Sequence, residues 1–429
     1  MNAPITTTTF QKLIDSGVLE IGDGYRAKNN ELGGEGYIFL RAGQMSDSHI
    51  SFEGVERFRS ELAPRLQNKL SQPGDTVITT KGNSTGRTSF VTATMPTFVY
   101  SPHLSYWRSR NTNQLENGFL RYWSRSSEFQ DQLDGMSEST DMAPYLSLTD
   151  QRRLKITVPK ISTQRAIAKV LGALDEKIEL NRRMNKSLEE LAQSVFRSWF
   201  VDFDPVTAKA AGRQPFGLDP ANAALFPSEF QDSELGPIPK GWCVSDVGRF
   251  AMNHDSLRVP IKESERTAGP FPYYGASGIV DHVDRFIFDG EFLLVAEDRE
   301  NLRTCKTPIA FRATGKFWVN NHAHVITGPS IGGTRFLLLT LQNTDISGYL
   351  TGSTMPKLSQ QNMNRIKLVV PTADLIEKFE QLTTPLFAKI DANTANSDGL
   401  TTAREAMLPP LLSGELRIKN AERLLEKVL

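Results

Sequence analysis

Glu297, Asp298 and Arg299 close an apolar run, as the carboxylates of a metal-dependent nuclease often do. Such a site wants a lysine where Arg299 stands, and an arginine cannot give up its proton to serve as the base. The glycine loop Lys81-Gly82-Asn83-Ser84-Thr85-Gly86-Arg87-Thr88 has the look of a phosphate loop. It is one residue short between its glycines and ends in Arg87 instead of lysine, so nucleotide binding is not expected. A polar loop of this kind suits contact with DNA backbone or base edges, through Lys81, Asn83, Ser84 and Arg87. Its plain alternative is a connection between strands.

Asn320, Asn321, His322 and His324 follow the aromatic pair Phe317 and Trp318. The two histidines share a strand face by parity, but no nearby carboxylate or cysteine completes a metal set, so no metal site is expected. Hydrogen bonding to base or phosphate fits Asn320, Asn321 and His322 better, with a satisfied turn as the rival. Tyr106, Trp107, Arg108, Arg110, Phe119, Arg121, Tyr122, Trp123 and Arg125 interleave aromatic with basic side chains. Periodic aromatics are mostly core, which puts Phe119 and Trp123 on an inner helix face and the arginines outward. No Ser/His/Asp order, dinucleotide fingerprint or methyltransferase tetrapeptide is visible. The chain reads as a binder without a catalytic residue of its own.

Charge locates the binding surface better than the total does. The 429 residues carry 49 Lys and Arg against 49 Asp and Glu, for a net charge of zero. From Thr76 to Ser127, however, six basic residues face only Glu116, and from Arg299 to Pro371 nine face only Glu300 and Asp345. Each region suits phosphate contact. The candidate DNA-binding set is therefore Lys81, Asn83, Ser84, Arg87, Arg108 and Arg110 in the first half, and Arg299, Arg303, Asn320, Asn321, His322 and Lys357 in the second.

The elements that must position these residues occur twice. LSLTDQRRLKITVP (Leu146 to Pro159) precedes one long heptad-patterned segment, and LSQQNMNRIKLVVP (Leu358 to Pro371) precedes another, 212 residues later. Around them lie short apolar runs broken by Gly, Pro, Asn and Ser clusters, which read as strands. QPGDTVITTKG and FDGEFLLVAED look equivalent, and VERFRSELAPRLQNKL is expected to be a helix. Residues 205–240 are rich in Pro, Gly and Ala and connect the halves.

The first helical stripe runs Ile167, Leu171, Leu174, Ile178, Asn181, Asn185, Leu188, Ala192, Val195, Trp199; the second runs Phe379, Thr383, Leu386, Ile390, Asn393, Ser397, Leu400, Arg404, Met407, Leu411. Alternating spacings of three and four make each a coiled-coil seam, and the simplest way to bury both is against each other. Leu174, Ile178, Asn181, Leu188, Leu386, Ile390, Asn393 and Leu400 are the seam candidates, with Asn181 and Asn393 as equivalent polar positions. Pro385, and Gly172 near the matching point, predict a break early in each helix. The stretch from Pro385 to Met407 would then be about 35 Å long, close to a turn of DNA.

Two cysteines, Cys243 and Cys305, are too few for a disulfide framework and point to a reducing compartment. MNAPITTTTFQKLIDSG lacks the basic and apolar parts of a leader, and no window offers an apolar span, so a cytoplasmic location is expected.

LGALDEKIELNRRMNKSLEELAQSVFRSWFVDFDPV (Leu171 to Val206) resembles the central conserved region of specificity subunits of type I restriction-modification systems, and AREAMLPPLLSGELRI (Ala403 to Ile418) is similar to their distal one. The resemblance implies an α+β fold with two strand-rich target recognition domains joined by two long helices in an antiparallel coiled coil with pseudo-two-fold symmetry. The layout would be 1–160 for the first recognition domain, 161–204 for the central helical region, 205–372 for the second recognition domain and 373–429 for the distal helical region. It implies a non-catalytic subunit that reads a bipartite, asymmetric double-stranded DNA site and sets the spacer. Its implied partners are two methyltransferase subunits and restriction and translocation subunits. Those partners, not this chain, would hold S-adenosylmethionine, ATP and Mg. A coiled-coil scaffold, or a self-contained nuclease or methyltransferase, is the alternative.

Overall fold

The computed structural model describes residues 6–46, 49–137, 145–299, 301–304, 308–352 and 354–428. The opening residues 1–5, Glu300, Cys305 and Lys306 lie outside them. The chain forms two compact units, one of Met1–Arg182 with Thr394–Leu429 and the other of Arg183–Asn393.

In the first unit the strands Leu19–Asp23, Leu104–Ser109, Thr76–Thr79 and Thr88–Phe90 lie side by side in that order, all antiparallel. A parallel pair, Ile38–Leu40 with Phe98–Tyr100, packs Ile38, Leu40, Phe98 and Tyr100 against Val77 and Tyr106 of that sheet. The segment from Val55 to Leu70 is not the single helix expected. It breaks into Ser60–Leu62, Ala63–Leu66 and Gln67–Lys69 around Pro64, which has no amide proton and fits only a first helical turn.

The second unit is built on a six-stranded sheet, ordered Met252–Asn253, Ala323–Thr327, Phe288–Ala296, Ala310–Val319, Phe271–Gly275, Gly278–Val283. Leu293, Val295 and Ala310 on one face pack against Phe336 and Leu337 of the helix Ile331–Gln342. Leu294, Ala313, Phe317 and Val325 pack together on the other, the alternation that a pleated strand imposes. Residues 205–240 hold short helices, Asp204–Ala210 and Pro220–Ala224, and a hairpin of Phe230–Gln231 with Ile238–Pro239.

The repeat seen in sequence has the same structure in both units. Ser147 and Ser359 each cap a short helix, Leu148–Arg153 and Gln360–Asn364, by accepting a backbone N–H three residues on. The strands that follow, Lys155–Val158 and Lys367–Val370, each pair antiparallel with a strand that the sequence comparison missed. These are Thr6–Thr9, in register Thr6 to Val158, and Cys243–Asp246, in register Cys243 to Val370. Phe10 N then donates to Leu154 O, and Val247 N to Ile366 O, both at 2.9 Å.

The long helices are Ile161–Phe200 and Ala373–Ser413. Neither breaks where expected. Pro385 forgoes one intrahelical bond, but Phe379, Phe387 and Ile390 on either side of it are anchored in the second unit's core. Burying three such side chains stabilises by several kcal/mol and offsets the roughly 3 kcal/mol an interior proline costs. Thr383 Oγ1 also donates to Phe379 O at 2.8 Å. Gly172 leaves its helix uninterrupted, since an isolated glycine costs only about 1 kcal/mol there.

Each unit holds a segment of both helices, packed antiparallel. In the first unit Leu171 and Leu174 share a core with Leu400, Met407 and Leu411, Ile178 packs against it, and Asn181 Nδ2 donates to Asn396 Oδ1 at 2.9 Å and Ser397 Oγ at 3.2 Å. In the second, Asn393 Nδ2 donates to Asn185 Oδ1 at 2.8 Å, Ile390 is core, and Leu188 and Leu386 pack against that core. All eight seam candidates face the partner helix or the core beside it. Asn181 with Ser397 and Asn393 with Asn185 are the same contact under the 212-residue offset.

Candidate nucleic-acid interface

One backbone frame recurs at an end of the sheet in each unit. In the first, Thr80 N donates to His103 O at 2.8 Å, Leu146 N donates to Thr80 O at 2.9 Å, and Lys81 bridges Tyr145. In the second, Glu297 N donates to His322 O at 2.9 Å, Leu358 N donates to Glu297 O at 2.8 Å, and Asp298 bridges Lys357. QPGDTVITTKG and FDGEFLLVAED are thus equivalent. The next residue of each, Gly82 and Arg299, has a left-handed backbone, with φ of 88° and 91°. Glycine takes that conformation freely, whereas arginine is strained in it by about 1 kcal/mol or more. Strained residues of this sort cluster at functional sites.

This frame brings together most of the second unit's candidates. His322 Nδ1 lies 2.6 Å from Asp298 Oδ2, and its amide donates to Asn320 Oδ1 at 2.8 Å. Lys357 Nζ sits 3.2 Å from Glu297 Oε1, while Arg299 and Asn321 are exposed beside them. Arg303 lies one short helix further on and donates to Gly352 O at 2.6 Å. Asn320 is buried and serves the turn, so its side chain shapes the loop from within.

Asp255 and Arg258, which the sequence did not point to, and His324, which it placed beside His322 but outside the DNA-binding set, support the frame. Arg258 Nη1 donates to Glu297 Oε2 at 3.0 Å and Ala323 O at 2.7 Å. His324 has both ring nitrogens against acceptors, Asp255 Oδ2 at 2.6 Å and Leu358 O at 2.8 Å. Burial alone would raise the Asp255 carboxyl, but its bonds from His324 and the Val325 amide, with Arg258 nearby, hold it below the usual range. Glu297 and Asp298 are therefore engaged by cations and a histidine. Among the described residues, no group of three or more His, Cys, Asp or Glu side chains could hold a metal ion.

In the first unit Lys81 and Asn83 are exposed and Ser84 and Arg87 half-buried, on a loop closed by Gly86 N to Thr79 O at 2.9 Å. Arg87 Nη1 donates to Met45 O at 3.1 Å. Arg110 is half exposed and paired with Glu20. Arg108 stands apart from this surface. It is buried, grips Asp75 through Nε at 2.6 Å and Nη2 at 2.7 Å, and lies over the Tyr106 ring. Tyr100 donates to the same carboxylate at 2.6 Å. Desolvating an arginine and an aspartate is tolerated only because each satisfies the other, so Arg108 holds the sheet together and leaves the solvent-facing set. Phe119 and Trp123 are core as expected, but the arginines between and after them are not outward. Arg121 Nη2 reaches Asp175 at 2.5 Å, and Arg125 has its terminal nitrogens buried.

These features, two strand-rich units with loop-bearing sheets and two antiparallel helix segments in each, define a protein that presents a pair of similar frames carrying unlike side chains. The model of the type I restriction modification DNA specificity domain matches residues 16–190 and 239–384, most of the chain, which therefore belongs to that family. It is 24% identical over 438 aligned positions to the HindI type I restriction enzyme specificity subunit of Haemophilus influenzae, covering 88% of this chain and 94% of that protein. It is 25% identical over 319 positions to the MjaIX specificity subunit of Methanocaldococcus jannaschii, covering 70% and 69%. Its fold is that of the S subunit of a type I restriction-modification system from M. genitalium, with a TM-score of 0.53, 16% identity, and 96% and 97% of the two chains covered.

Proposed function

We propose that each unit reads one half of a bipartite double-stranded DNA site, and that the paired long helices set the number of base pairs left unread between the halves. The recurrence of one backbone frame with different side chains supports this reading most directly. Lys81, Gly82 and Tyr145 occupy in one unit the places of Asp298, Arg299 and Lys357 in the other. Equal frames with unequal chemistry suit two unlike half-sites. In the second unit Arg299, Asn321, His322 and Lys357 offer the donors and cations for base edges and phosphates; in the first, Lys81, Asn83, Ser84 and Arg87 do. We further infer that adenine methylation and cleavage belong to partner subunits, two of them methyltransferases, which would hold S-adenosylmethionine, ATP and Mg in place of this chain; membership of the specificity family supports this reading.

The test is to express the chain with its cognate methyltransferase and map the methylated adenines. A two-part motif with a fixed gap is expected; a continuous motif or no methylation would overturn the reading. Inserting four residues into each long helix near Asn185 and Asn393 should change the gap and leave both half-sequences as they were.

A further inference from the structure

One buried cluster in the first unit has a charge imbalance that nothing in the DNA-reading frame uses. Asp175 is the buried acid there, and its carboxylate is already saturated. Arg404 Nη1 and Arg121 Nη2 each reach it at 2.5 Å, and the Tyr122 hydroxyl donates to it at 2.6 Å. Arg125 stands beside these groups with both terminal nitrogens buried and without a hydrogen-bond acceptor. Burial, with Arg121 and Arg404 adding to it, pushes its guanidinium down to about 10, so it remains a cation at neutral pH. Glu405 is mostly exposed and bonds to Arg404, not to Arg125.

The buried arginines of the second unit, by contrast, meet acids. Arg312 and Arg335 there share Glu291 and Asp391, two cations to two acids. A buried charge without a partner is among the costliest features a fold can carry. The first unit keeps one at the edge of a cavity of about 500 Å³, lined on one side by Arg125, Arg404 and Tyr122 and on the other by the loop Asn83–Thr88. The amides of Thr85, Gly86 and Arg87 donate within that loop, so what it brings to the cavity are the side chains of Asn83 and Ser84. Donors converging from two walls fit a tetrahedral oxyanion better than a flat carboxylate, and the planar fork of an arginine binds phosphate through two parallel bonds.

We infer that the cavity between Arg125 and the Asn83–Thr88 loop is a binding site for a phosphate-class oxyanion, which supplies the counter-charge the fold withholds from Arg125. The site takes either a phosphate of bound DNA or a free phosphate ion. Its existence does not depend on the bipartite reading.

Isothermal titration of sodium phosphate into the full chain, against sodium chloride of equal ionic strength, should give one saturable site and a phosphate-specific rise in Tm. R125M should weaken phosphate binding roughly ten-fold or more, as loss of a charge-assisted hydrogen bond does. In phosphate-free buffer R125M should melt no lower than the parent chain, because it removes an unpaired charge. The absence of a phosphate-specific isotherm in the parent chain, or an undiminished one in R125M, would overturn the site. The isotherm of the parent chain decides the matter even if the variant fails to fold. Adding duplex DNA carrying the target then tells the sources apart. Displacement of phosphate, with weaker DNA binding by R125M, identifies a DNA phosphate; unchanged phosphate binding identifies a resident ion.

Discussion

Asn393 donates its side-chain amide to the carbonyl oxygen of Asn185 at 2.8 Å, one long helix to the other, inside the second unit. A polar pair in an apolar seam lowers stability and fixes register, since a slip by one heptad would set Asn185 against Leu386 or Leu400 in place of Asn393. Replacing Asn393 by Leu leaves the half-buried Asn185 side chain without the donor to its Oδ1 and should cost about 1 kcal/mol in chemical denaturation. The double change N185L with N393L should recover most of that loss, and a double variant as unstable as the single one would contradict the pairing.

Gly82 and Arg299 share a left-handed backbone at equivalent places. A side chain at Gly82 would touch nothing within 4 Å, so G82A should lose stability through the backbone alone, by about 1 kcal/mol. R299G should gain a similar amount. If the strain at Arg299 is kept for contact with DNA, the same variant binds its half-site less tightly while melting higher. Thermal melts and DNA titrations on one preparation separate the two effects.

Arg108 and Asp75 are a buried pair, with Arg108 also against Tyr106. R108A strands the Asp75 carboxylate and should destabilise the chain by about 3–5 kcal/mol. Its effect on DNA binding should vanish once the fraction folded is taken into account, unlike that of K81A, which should bind DNA less tightly with unchanged melting and a shallower salt dependence.

Asp175 gives the first unit a pH dependence of definite sign. Burial alone would raise its carboxyl, but Arg121, Arg404 and Arg125, with the Tyr122 hydroxyl, outweigh burial and lower it below the ordinary 3.8. A carboxyl lowered on folding contributes stability that is complete above its unfolded value and is lost as pH falls through the folded one. The chain should therefore lose stability below about pH 4 in part through this residue, and D175N should flatten the acid limb while destabilising the protein at pH 7. An unaltered acid limb in D175N would remove Asp175 as a cause.

The sequence by itself determined the repeated strand and helix, because their pattern is local: a serine cap, an apolar strand ending in proline, and heptads whose period survives divergence. It also determined that the seam has a polar centre, since Asn181, Asn185, Asn393 and Ser397 interrupt otherwise apolar stripes. The RSWFVDFDP run was enough for the family. What tertiary structure alone decided lies where partners are distant in the chain. The strands Thr6–Thr9 and Cys243–Asp246 are too short and too polar to announce themselves. The likeness of QPGDTVITTKG to FDGEFLLVAED was legible, but the spacing between equivalent residues changes from 212 at Leu146 and Leu358 to 217 at Thr80 and Glu297, so only the fold showed that these segments meet in one frame. Pro385 spoke for a break that packing overrode. Basic residues that look alike in sequence were sorted by burial: Arg108 took Asp75, Arg121 took Asp175, Lys81 stayed in solvent, and Arg125 was left in the interior near Asp175 but with no acceptor for its terminal nitrogens. Charge counted along a chain cannot see that sorting, because desolvation and pairing depend on which side chains meet in space.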